Sequence, residues 1–265
     1  MTYIQLTYWD IALAALLLTV NAGLSIYYRL GTEKRLIIAA VRMVVQLTLV
    51  GLALKALFHT VSPWLTLLVA LAMVAFAGRE AMARQERTFI GFWGYGLGTT
   101  SMLLSAGIVT MFALLTQLHA DPWYDPRYTI PILGMILGNT MTGVSLSLDR
   151  LLAEADTGRA RIEARLALGH TFREAMQQPL KSAMRAGLVP TVNGMAAAGL
   201  VSLPGMMTGQ ILAGVDPVEA VKYQILIMFL IAGGTALGVF CATMIALKRL
   251  TDLRQRLRLD RLRVE

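Results

Sequence analysis

A few polar side chains sit inside long apolar runs, where hydrocarbon does not tolerate them alone. Arg42 lies within the run Leu36–Phe58, with Gln46 one turn further on the same helical face. Asn139 lies within Thr129–Leu148, and Asn193 within Ala186–Leu203, just after Pro190. An amide at such depth either bonds a neighbouring helix or faces an aqueous path. An arginine there costs roughly 2.5–3.5 kcal/mol unless it snorkels, pairs or is wet, so Arg42 is an interfacial or paired group, or one that attracts anions or gates. Met135 and Met195 add thioethers, which suit soft ions but also fill irregular cores. Together these six residues are a candidate translocation path whose chemistry is weak, reversible contact with a passing solute. No carboxylate lies mid-span, His59, His119 and His170 fall in connections, and the single Cys241 has no metal-ligand spacing, so the metal ligands, if any, are undefined. No G-x-x-x-x-G-K-[ST] loop occurs, so a nucleotide is not bound through a P-loop of this chain. The chain is read as a non-enzyme that holds no cofactor.

The elements that position these residues are membrane spans. Of 265 residues, 56% are hydrophobic and 15% charged, with a mean hydropathy of +0.61, which excludes a soluble enzyme, a disordered chain and a disulfide scaffold. Seven runs approach the roughly 20 apolar residues a spanning helix needs: Tyr8–Tyr28, Leu36–Phe58, Ser62–Gly78, Phe89–Gln117, Thr129–Leu148, Ala186–Leu203 and Val218–Leu247. Alternate connections, with the tail, hold 20 of the 24 lysines and arginines, which predicts an external N-terminus and a cytoplasmic C-terminus. The predicted fold is therefore an all-α, polytopic membrane protein of about seven helices over residues 1–265, one domain with N-out/C-in topology. The net charge of +8 reads as a topology anchor touching anionic lipid, not as a nucleic-acid surface. No positive n-region precedes the first run, so no cleavable signal is expected.

The one sizeable polar stretch is 149–185. Helical periodicity is interrupted at Gly169, and Thr171 followed by Glu174 is a capping-box pattern that restarts a short helix at Phe172, with Pro179 limiting it. Such an elbow either fits a groove on a partner or lies on the bilayer surface. Gly134 with Gly138, and Gly234 with Gly238, have the spacing of close helix contacts. The run Leu203-Pro204-Gly205-Met206-Met207-Thr208-Gly209 is expected to be irregular, with Gly205 and Gly209 both supplying freedom; residues 204–216 form a re-entrant or interfacial segment. Pro204, Gly205, Met206, Met207 and Gly209 are thus a candidate outer gate or a packed turn.

Two resemblances sharpen this reading. Glu163-Ala164 followed by Gly169 resembles the Glu-Ala-Ala…Gly loop by which ABC-transporter permeases dock on an ATPase, although Pro179-Leu180-Lys181-Ser182 departs from its second half. The blocks from Pro131 to Asn139 and from Gly199 to Gln210 are similar to the FetB-type iron-export ABC permease family, which has plant relatives linked to aluminium tolerance. The resemblance implies a permease subunit in the cytoplasmic (inner) membrane of a bacterium. It implies Glu163, Ala164, Gly169, Thr171, Phe172 and Glu174 as the coupling segment, and two copies of a separate ATPase that carries ATP and Mg. It implies export of iron or another metal, with a nucleotide-sugar or other small solute as the alternative. Seven spans are few for a complete pore, so a homodimer is expected. Readings of another class are a secondary transporter, for which intramembrane acids and inverted repeats are not seen, and a non-transporting scaffold.

Overall fold

The computed structural model describes residues 7–83, 85–118 and 121–264; His119 lies outside them. Among the described residues there are ten α-helices and one two-stranded antiparallel sheet. The helices are α1 (Tyr8–Tyr27), α2 (Glu33–Thr60), α3 (Pro63–Met82), α4 (Phe92–Ala113), α5 (Pro126–Thr157), α6 (Arg159–Ala167), α7 (Phe172–Ala175), α8 (Gln177–Ala197), α9 (Gly205–Leu212) and α10 (Pro217–Arg249). The strands are β1 (Arg87–Phe89) and β2 (Leu262–Val264). The chain divides into two compact units, one of residues up to Val61 together with Leu212–Gly214, the other of Ser62–Ile211 with Val215 onward.

In the first unit, α1 and α2 form a hairpin. The turn needs positive φ at Arg29 and Gly31, and Ser25 closes it. The buried Ser25 hydroxyl donates to Glu33 Oε2 at 2.8 Å, meets Thr32 Oγ1 at 2.8 Å and accepts from Thr32 N at 3.2 Å. Almost every apolar side chain of these helices is exposed.

In the second unit, α3, α4, α5, α8 and α10 pack as a bundle around Met102, Ile136, Val144, Leu148 and Leu152. Glycines allow the closest approaches. A Cβ on Gly187 would lie 2.6 Å from the Gly143 carbonyl oxygen and 2.9 Å from Ser147 Cβ. One on Gly98 would lie 2.5 Å from the Gly78 carbonyl oxygen. Gly234 faces Ile136 and Gly238 faces Thr140, so the second predicted glycine pair is a tight contact. The first is not: Gly138 has open space around it, and Gly134 meets only the flexible end of Met73.

Among the described residues, six helices are long and apolar enough to cross a membrane: α1, α2, α3, α4 with the π-helical turn after it, α5 and α10. They coincide with six of the seven predicted runs. The remaining run corresponds to α8, which starts earlier than expected, at Gln177, and carries Gln178, Lys181, Arg185 and Asn193. These polar residues dilute its apolar character, and α8 does not reach the same standard. Phe89 belongs to a strand, so the fourth helix starts at Phe92.

Candidate functional site

At one end of the bundle the polar stretch 149–185 folds as an elbow. Its first nine residues continue α5 to Thr157. Ile162, fully buried, anchors α6. The helix ends in a Schellman motif: Gly169 N donates to the Leu166 carbonyl at 3.0 Å and His170 N to the Arg165 carbonyl at 3.1 Å, with Gly169 at φ +89°. Leu168, at the bend, is 80% exposed. The capping box then forms as the sequence predicts. Thr171 N donates to Glu174 Oε2 at 2.8 Å, and Glu174 N to Thr171 Oγ1 at 3.3 Å. The Thr171 amide, and then its hydroxyl, which donates to the same carboxylate oxygen at 2.9 Å, hold the Glu174 carboxyl below its ordinary range. Phe172 and Ala175 plug the short α7 into the core. Pro179 does not limit this helix: the break is at Met176, and Pro179 sits in the first turn of α8, where a missing N–H leaves no bond unmade. Glu163 is exposed and accepts from Arg159 Nε at 2.8 Å, one turn back; Ala164 is exposed, and its carbonyl accepts from Leu168 N.

The basic tail is a folded knot. Asp252 organises it, accepting from Arg254 N and Arg256 N at 3.0 Å each and from Arg256 Nε at 2.9 Å. The Arg256 side chain and then its amide hold the Asp252 carboxyl far below the usual range. Arg261 Nη1 donates to the carbonyls of Arg249 (2.7 Å) and Thr251 (3.0 Å), closing the C-terminus of α10. Leu262–Val264 pairs with Arg87–Phe89, and Arg87 Nε reaches Asp156 Oδ2 at 3.2 Å. Gln255, at φ +55°, accepts a 2.7 Å hydrogen bond from Phe172 N, the first amide of α7. Sequence reasoning missed this junction. Its one signal was Leu257, Leu259 and Leu262 recurring among the arginines, and these leucines pack against the core.

The predicted path residues are spread over both units. Arg42 and Gln46 are exposed on α2. In the bundle, Asn139 is exposed and its Nδ2 donates to the Met135 carbonyl at 2.9 Å, one turn back. Met135 is half-buried; Asn193 and Met195 are exposed on α8. Helices α5 and α8 run antiparallel, because Ser182 bonds Glu154 while Gly187 meets Gly143. Asn139 and Asn193 therefore lie near one level, beyond the glycine crossing and away from the elbow.

The candidate outer segment differs from expectation. Gly205 begins α9 and Gly209 lies within it, and neither has positive φ. The irregular backbone precedes them. Gly199, at φ +85°, donates its N–H to the Ser202 carbonyl at 2.9 Å, while Val201 N and Ser202 N return to the Ala197 carbonyl. Pro204 starts the next helix, its carbonyl accepting from Thr208 N. Met206 packs against the core and Met207 is half-buried.

The profile of a family described as "Uncharacterised protein family (UPF0014)" matches residues 8–251. The chain belongs to this family. It is 37% identical over 251 residues to the UPF0014 membrane protein YjkA of Bacillus subtilis, covering 95% of this chain and 98% of that one. It is 33% identical to the probable iron export permease protein FetB of Escherichia coli, over 96% and 95% of the two chains. It is 32% identical to the UPF0014 membrane protein STAR2 of rice, over 87% and 79%. No solved structure matches. The bacterial and plant kinship expected from the Pro131–Asn139 and Gly199–Gln210 blocks thus holds along nearly the whole chain. The UPF0014 match takes in both helical units and the elbow, and stops where the Asp252 knot begins.

Proposed function

We propose that this UPF0014 protein is the permease subunit of an ABC transporter that exports iron or another metal, driven by two copies of a separate ATPase bearing ATP and Mg. The observation that carries this is the elbow: two helical pieces joined at a positive-φ glycine, the second capped and plugged into the core, with Leu168 left bare at the bend. That geometry presents an apolar knob on a rigid mount, which suits a groove on a partner. The kinship with a probable iron export permease supports the substrate class. Among the described residues no three His, Cys, Asp or Glu side chains form a metal-holding group. Passage of an ion would rest on Asn139, Asn193, thioethers and backbone carbonyls, a donor set suited to release rather than storage.

Exposed Asn139 and Asn193 also support a homodimer. Amides bare to lipid are unfavourable, so a second copy or a shared aqueous path accounts for them. Charge and parity support a topology N-out/C-in with seven spans. The β1 connection, the elbow and the tail knot meet at one end of the bundle. Between the first two run α4 and α5; between the last two, α8 and α10 must make an outward and a return crossing. On this reading the elbow end is cytoplasmic and the Pro204–Gly209 segment lies at the outer face, as a gate. The membrane is the cytoplasmic membrane of a bacterium.

The test is transport in vesicles holding both subunits. ATP-dependent movement of Fe2+ is expected, and movement of a nucleotide-sugar instead would transfer the proposal to the alternative cargo. Absence of ATP dependence with a bound ATPase would overturn it.

A further inference from the structure

The elbow and the tail knot each expose a large apolar side chain, and a hydrogen bond joins the two segments. Leu168 stands four residues before Phe172, and the fully exposed Leu253 stands two before Gln255. Phe172 and Gln255 are the two ends of one 2.7 Å hydrogen bond. The loop that carries Leu253 is built, not loose. Asp252 gathers two amides and a guanidinium, Gln255 N donates to the Asp252 carbonyl at 2.9 Å, and Thr251 bridges to Leu257. This frame holds Gln255 in the left-handed region, which is unfavourable for a non-glycine residue. A glycine would relieve that cost but remove the acceptor that meets α7.

The surroundings indicate what the two leucines meet. The carboxylates nearby are engaged within the chain: Glu163 by Arg159, Glu174 by Thr171, Asp252 by Arg256. Exposed Arg161, Arg173 and Arg254 leave the rim positive. A bilayer surface takes a continuous apolar stripe. Here there are two separate knobs on directional mounts, which fits a protein face with an apolar cleft rimmed by carboxylates.

We propose that the loop 251–257 is the second half of the ATPase-docking face, and that Gln255 is the positioning residue holding α7 in its docking orientation. This rests on the permease reading above. The motion of the partner would then reach α10 directly, because Arg261 ties the same knot to the end of that helix.

The test uses the full permease co-expressed with its ATPase, in nanodiscs with and without phosphatidylglycerol. Gln255→Ala is expected to speed exchange of the Phe172 amide roughly three- to tenfold, the range of one lost hydrogen bond. It should lower stimulated ATP hydrolysis in step. Gln255→Glu, which keeps an acceptor at the helix start, should restore both. Leu253→Glu should leave Phe172 protection intact and weaken capture of the ATPase at least tenfold. Unchanged exchange and coupling in Gln255→Ala would overturn the positioning role. Unchanged capture in Leu253→Glu, or a loss that follows phosphatidylglycerol content, would overturn the docking role. If the wild-type permease captures no ATPase at all, it is the permease reading that fails.

Discussion

The spanning helices of the α1–α2 hairpin and of the bundle are similarly apolar but buried to very different degrees. In the windows that qualify as spans, none of α2 is buried and 11% of α1, against 56% for α4 and 50% for α5. The bundle closes on itself because glycine notches let backbones meet; the hairpin has no such notch. A Cβ would find nothing within 4 Å at Gly23 or Gly51, and backbone or β-branched carbon below 3 Å at Gly78, Gly143 and Gly187. In lipid, apolar character is no force for helix association, so what separates a bundle with tight internal crossings from a hairpin without them is surface shape.

The largest expected effect breaks the notch. Gly187→Leu should cost about 3 kcal/mol or more, since overpacking against a carbonyl has no flexible side chain to yield. Gly51→Leu should leave the melting temperature in detergent unchanged. Similar melting of the two variants would erase the distinction between the units.

Next come two glycines with open space but positive φ, one in each region: Gly169 at +89° and Gly31 at +68°. Valine at either is strained by roughly 1–3 kcal/mol. Gly169→Val should insert normally yet lose most ATPase capture and stimulation, read by pull-down and phosphate release. Gly31→Val should disturb the hairpin turn and leave capture in place. Full coupling in Gly169→Val would reduce the elbow to a surface loop.

Smaller effects follow from single polar groups. Thr171→Ala removes a cap worth about 1 kcal/mol and should lower coupling about fivefold, while Ser25→Ala loosens only the hairpin turn. Smallest is a pH effect confined to the bundle's tail knot. The Asp252 carboxyl lies below its ordinary 3.8 in the folded chain, so its stabilisation is complete above about pH 4 and fades as pH falls further. Hydrogen exchange of residues 252–257 should be steady between pH 5 and 8 after correction for intrinsic rates, and should accelerate only in stronger acid.

The spans were legible because hydrocarbon thickness imposes a run length that a sequence either has or lacks. The elbow was legible because a capping box and a bend glycine are local patterns. The Gly143–Gly187 crossing was not: neither glycine has a second glycine four residues away in its helix, and the partner is 44 residues away. Spacing within one helix pointed to Gly134 and Gly138 instead, where only one neighbour lies close. The irregular turn at Gly199 was displaced to Gly205 for a related reason. Proline draws attention to itself, yet Pro204 serves as the entry to a helix, a position that tolerates it. The candidate path was legible only as a set of misfit polar residues, since nothing local tells an exposed amide from a paired one.

Strand β1 pairs with a segment synthesised much later. Arg87–Phe89 emerges about 175 residues before its partner Leu262–Val264. At roughly 5–20 residues per second, that leaves an unpaired edge for on the order of ten to thirty seconds of translation. Gln255 likewise emerges 83 residues after Phe172, so the elbow is made before its acceptor exists. The first amide of α7 therefore gains its side-chain acceptor only after the whole of α10 has been made.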